Sequence, residues 1–115
     1  MKRDEYTREI KNGLPPIHPG ELLLDELEYT NIDRKRFAEM LAVPFEQLQA
    51  FLSGERDVDA EFALRLERYF GSGARMWMNI QTAYSLKVAE RELGKTISDE
   101  VVPREKDPSE VVEAA

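Results

Sequence analysis

With 115 residues, the chain has room for one domain with a single core and short flanks. Its 42% hydrophobic and 34% charged residues fit a charge-covered compact fold rather than a disordered chain, and the absence of Cys excludes a disulfide framework and Cys-based zinc sites. A net charge of −7 argues against indiscriminate binding to nucleic acid and in favour of a basic partner.

The charge is uneven along the chain. Residues 1–19 hold four Lys or Arg against three acids, residues 20–92 nine against fourteen, and residues 93–115 three against six, so any contact with DNA has to come from a local basic patch. The apolar runs are only a few residues long ("LLL" at 22–24), far short of the ~18–20 that cross a bilayer. The first residues, "MKRDEYTREIKNG", contain no apolar signal core, so the expected location is the cytoplasm.

Residues 1–17 have mixed charge without an apolar period and end on the turn signal "NGLPP", which predicts a mobile N-terminal arm. A helix is predicted from Gly20 through "GELLLDELEYT", with Pro19 suited to its start, Leu23 and Leu27 turned inward, and Glu21, Asp25 and Glu28 on other faces. Asp33 is the candidate N-cap of a short second helix, "RKRFAEMLA", with Phe37 and Leu41 on one face. Pro44 is expected at the first position of a third helix, "PFEQLQAFLS". There Leu48, Phe51 and Leu52 form an i, i+3, i+4 stripe, and Gly54 is placed to take the left-handed position after the end. Asp59 opens a fourth helix, "AEFALRLERYF", whose inward positions are read as Ala63, Leu66 and Phe70, with Gly71 as its stop. A longer fifth helix is predicted over 73–92, with Trp77, Ile80, Tyr84 and Val88 down one side and Gly94 as the stop. The folded domain is therefore drawn at 18–92. Residues 93–115 form a charged C-terminal tail in which only "ISDEVVP" alternates in the manner of a strand.

The second and third helices, joined by "AVP" and with Phe37, Ala38, Leu41, Val43, Leu48 and Leu52 turned inward, match a helix-turn-helix. Ala38 has to be small where the two helices cross, while Val43 and Leu48 set the angle at which the third helix is presented. Three stretches carry a more specific resemblance: "PIHPGELLLDEL" (16–27), "FAEMLAVPFEQLQAFLSGERDVDAEFALRLERYFG" (37–71) and "MWMNIQTAYSL" (76–86). In these residues the chain resembles the HigA-type antitoxins, a branch of the Xre-like helix-turn-helix proteins. The "HPGE" opening and the segment containing Trp77, Asn79, Gln81 and Tyr84 separate that branch from general repressors of this kind. The resemblance implies an all-α, five-helix, lambda-repressor-like cytoplasmic protein that is dimeric. It also implies that the protein binds and blocks a small basic ribonuclease toxin of the HigB kind and represses its own operon. The alternative is a stand-alone Xre-family regulator with no toxin. In the family a Ser or Thr enters the fifth helix, which makes Ser72 of "SGAR" the candidate cap.

Reading DNA on the third helix falls to Gln47 and Gln49, whose amides donate to and accept from an adenine edge, and to Glu46, which accepts from cytosine N4. Arg34, Lys35, Arg36 and Arg56 are the basic residues flanking that helix and the candidates for phosphate contacts. Because the first three are consecutive, two of them, together with Arg56, are expected on the DNA side. Glu21, Asp25 and Glu28 are the candidates for toxin contact, because a protein that holds RNA phosphates has a basic surface. The simpler alternative for all of these charges is a solvated helix face. His18, the one histidine, has no Cys or second His beside which to build a metal site or a catalytic triad, so it is read as structural. No enzyme, cofactor or metal is expected. A homodimer is expected through the fifth helix, with "ISDEVVP" as an edge strand paired across the axis.

Overall fold

The first four helices start where a proline or a polar acceptor meets an apolar period, and a computed structural model shows these starts within residues 15–105, the part of the chain it describes. Five helices lie among the described residues: α1 (Pro19–Thr30), α2 (Arg34–Leu41), α3 (Phe45–Leu52), α4 (Ala60–Phe70) and α5 (Ala74–Glu100). No strand occurs among those residues. The arm expected over 1–17 lies outside the described residues except for 15–17, which have no regular structure. There Pro16 and Ile17 are partly buried, so the chain is already seated before α1 begins. The end of the expected tail, 106–115, also lies outside them.

The core is one cluster: Leu23 and Leu27 of α1; Phe37, Ala38 and Leu41 of α2; Leu48, Phe51 and Leu52 of α3; Val58; Phe62, Ala63 and Leu66 of α4; and Trp77 of α5. Its aromatic centre is Phe51 against Phe62, with ring centroids 4.5 Å apart, and Phe37 meets the edge of Tyr69 at 5.0 Å. Phe70, expected inside, lies half-exposed in the last turn of α4. The inward line of that helix runs instead through Phe62, Leu66 and the partly buried Tyr69, at i, i+4 and i+7.

Four boundaries differ from the expectations by identifiable causes. Pro44 is the N-cap of α3 rather than its first residue: its backbone is extended (φ −60°, ψ 143°) and offers no side-chain acceptor. Ser72 does not cap α5. The turn passes through Gly71 and Gly73, both with positive φ, and this brings Glu67 of α4 close enough for its Oε2 to accept from Ala74 N–H at 3.2 Å. Gly94 does not stop α5. One glycine inside a helix costs ~1 kcal/mol relative to Ala, the surrounding residues are mostly good helix formers, and Lys95 pairs with Asp99 one turn on at 3.0 Å. Nor does "ISDEVVP" form a strand: Ile97 to Glu100 are the last helical residues and Val101 is the C-cap. Pro103 explains this limit, because it disfavours helical backbone at Val102 before it.

Candidate nucleic-acid interface

The turn between α2 and α3 is built from Ala42 and Val43. Ala42 takes the left-handed conformation (φ 58°, ψ 45°), its N–H donates to the Ala38 and Glu39 carbonyls, and Val43 N–H donates to the Ala38 carbonyl at 3.0 Å. The bend is fastened from outside by Arg65 of α4, whose Nη1 donates to the Leu41 carbonyl at 3.0 Å and the Ala42 carbonyl at 3.3 Å. Glu61, one turn earlier, holds the same guanidinium through Nε at 3.1 Å and Nη2 at 2.9 Å. Arg65 therefore supplies donors to carbonyls that the end of α2 leaves without helical partners.

The far end of α3 is fastened by two further contacts. At the start of α1, Gly20 N–H donates to His18 Nδ1 at 2.8 Å and His18 N–H donates to Glu21 Oε2 at 3.2 Å, a reciprocal cap. The His18 ring is buried, edge-on to Phe51 of α3 at 5.7 Å and to Tyr84 of α5 at 5.0 Å. Since Nδ1 accepts, the ring proton of the neutral form resides on Nε2. That atom lies 3.4 Å from Asp57 Oδ1 in a geometry short of a hydrogen bond. Gly20 packs directly on the Phe51 carbonyl, where an added Cβ would collide with backbone. In the loop after α3, the buried Gln81 of α5 accepts from Val58 N–H through Oε1 at 2.8 Å and donates from Nε2 to Ser85 Oγ at 3.0 Å. Helices α1, α4 and α5 thus hold the reading helix at its start, its end and the loop beyond.

On α3 itself, residues advance by about 100° around the axis. With Leu48, Phe51 and Leu52 inward, the outermost positions are Glu46, Ala50 and Ser53, and Gln47 and Gln49 fall on opposite flanks. The two glutamines, both candidates for base reading, therefore face different neighbours. Gln49 turns towards α2, where Arg34 Nη1 donates to its Oε1 at 3.3 Å. Of the three consecutive basic residues, Arg34 reaches Gln49, Lys35 lies with Nζ 5.8 Å from the Phe45 ring centre, and Arg36 is turned aside towards Glu39 at 3.8 Å. Arg34 and Lys35 are thus the pair on the α3 side. Arg56 is exposed just beyond α3. The outward position Ala50 has no polar or charged group to mark it in the sequence, and Ser53 stands there as the closing residue of the helix. On α1, Glu21, Asp25 and Glu28 share the face opposite Leu23 and Leu27, and Tyr29, 88% exposed, lies beside them. The Glu21 carboxylate is already committed to the helix cap.

No group of three or more potential metal ligands occurs among the described residues, and none of their helices is long and apolar enough to cross a membrane. No family model matches the chain. It is 42% identical over 83 residues to virulence-associated protein I of Dichelobacter nodosus, spanning 71% of this chain and 77% of that protein. Its fold is similar to that of an addiction module antidote protein of a HigA family from Coxiella burnetii, with a TM-score of 0.75 and 40% identity over 79% of this chain and all of that one. It is also similar to the Pseudomonas aeruginosa antitoxin HigA solved with the higBA promoter, with a TM-score of 0.73 and 40% identity over 76% of this chain and 97% of that one.

Proposed function

This chain belongs to the HigA family of helix-turn-helix antitoxins, and from that membership we propose that it neutralises a basic ribonuclease toxin and represses its own operon as a cytoplasmic homodimer. The observation that carries the DNA-binding half is the support of α3: three other helices hold it, while Glu46, Ala50 and Ser53 are left facing outwards. Rigid presentation is what base reading needs, because a reading group has to be held in register with a base edge. The helix need not be basic for this. Lys35 and Arg56 beside it supply charge for phosphates, while Glu46 suits a cytosine amino group and the Ala50 methyl a thymine methyl.

Anisotropy titration of a duplex from upstream of the chain's own reading frame, against a shuffled duplex at several salt concentrations, tests this half. Arg56→Ala should weaken both duplexes alike and lower the salt slope by ~1. Equal affinity of the wild type for the two duplexes would reject operator reading. For the toxin half, the outer face of α1 is the proposed contact, with Asp25 and Glu28 as charges and Tyr29 as an aromatic anchor of the kind that dominates protein interfaces. Co-expression with the neighbouring reading frames, scored by growth and co-purification, tests it. Operator binding without a co-purifying basic protein would point to the stand-alone regulator instead.

A further inference from the structure

The bond between Arg34 and Gln49 changes what each of these residues can recognise. A guanidinium has donors only, so its contact with a glutamine amide has to be made through Oε1, and this fixes which end of the Gln49 amide is free. A glutamine with both ends free is suited to adenine, accepting from N6 and donating to N7. Gln49 with its oxygen turned to Arg34 presents the two N–H donors of Nε2. Arg34 in turn is held alongside the middle of the reading helix instead of projecting from the start of α2, and it keeps its remaining N–H donors. Apart from the second lone pair of Oε1, the flank formed by the two residues therefore offers donors. In the major groove a single base, guanine, offers two acceptors side by side, O6 and N7, whereas cytosine offers a donor and adenine one of each.

We propose that Arg34 and Gln49 act as one reading unit for guanine, with Arg34 contacting the base and Gln49 fixing its guanidinium, so that Arg34 is a specificity determinant and not a phosphate anchor. This rests on the operator-reading function proposed above. Both side chains lie on the surface or partly so, and truncating them should leave the fold intact, as circular dichroism and thermal melting of the variants would register.

The experiment uses the full chain and the upstream duplex, with each G·C pair replaced in turn by A·T. The expected result is at least one position where replacement weakens wild-type binding about tenfold, the scale of a good base contact. There, 7-deazaguanine should reproduce part of the loss. At that position Arg34→Ala and Gln49→Ala should each abolish the discrimination, and the double variant should lose no more than either single one. Arg34→Lys keeps the charge but not the fork, so it should retain binding to shuffled DNA and the salt slope, and any guanine preference it keeps should no longer depend on Gln49. The proposal is overturned if Arg34→Ala weakens upstream and shuffled duplexes equally, or if Arg34→Ala keeps the guanine preference. A wild type that prefers no duplex overturns operator reading as well, and the two failures are told apart by that control.

Discussion

His18 Nδ1 accepts the Gly20 N–H while the ring packs on Phe51 and Tyr84, so one side chain both caps α1 and joins it to α3 and α5. His18→Ala removes a cap contribution of ~1 kcal/mol together with edge-on ring contacts of ~0.5–1.5 kcal/mol each. His18→Asn restores a good capping residue and forfeits only the ring contacts. Urea unfolding should rank stability as wild type, then Asn, then Ala, and equal losses for the two variants would show that the cap contributes nothing. Gly20→Ala should destabilise by ~1–3 kcal/mol, since its Cβ meets the Phe51 carbonyl and backbone has to move. Ala42 sits at a left-handed position that costs a non-glycine residue ~1–2 kcal/mol. Ala42→Gly is therefore expected to raise the melting temperature by several degrees, the shift of ~1 kcal/mol in a domain of this size. The structural role of His18 was legible from its isolation among residues that could not build a metal site. The roles of Gln81 and Arg65 were not. Their partners lie 23 and 24 residues away, and a distant backbone N–H or carbonyl leaves no mark in the sequence around a side chain.

At the scale of elements, the apolar periods and caps placed α1 to α4 within a residue or two, because Asp33, Asp59 and Gly71 stop or start helices by local chemistry that any observer of the sequence can apply. What the periods could not show was how the helices face one another. That is why the pairing of Gln49 with Arg34 was not foreseen, and why the end of α5 depended on a competition between Gly94 and Pro103. Gln81→Leu is an element-level test, since it leaves Val58 N–H buried without an acceptor at ~1–3 kcal/mol and unties α5 from the loop after α3. The amide of Val58 should then exchange with solvent faster than core amides in α1, and uniform protection would contradict the coupling. On α1 the capping duty of Glu21 dictates which acids to alter. Asp25→Lys and Glu28→Lys together should slow association with the purified toxin and reduce its salt dependence without melting the helix. Unchanged association at low salt would remove this face from consideration.

For the whole molecule the dominant feature is α5. At 27 residues it is about 40 Å long, and the described residues measure 59 × 27 × 27 Å. Its first four turns pack on α1 and α4. Beyond Ala89 almost every residue is exposed, and Leu86, Leu93 and Ile97, exposed by 67%, 49% and 50%, fall in a line along one side at i, i+7 and i+11. Such a spine favours the same helix of a second copy, replacing the strand pairing that the tail was expected to provide. Changing the three residues to Gln should give a folded monomer by light scattering, and a dimer that survives the change would locate the contact elsewhere. A continuous helix is also a screw, in which angle and length are locked together. One alanine inserted between Glu90 and Arg91 turns Leu93 and Ile97 by about 100° away from Leu86, whereas seven inserted residues bring them back to within about 20° and carry them ~10 Å along the axis. Association should vanish with the short insertion and return with the long one. A flexible tether would respond to the number of added residues and be indifferent to their phase.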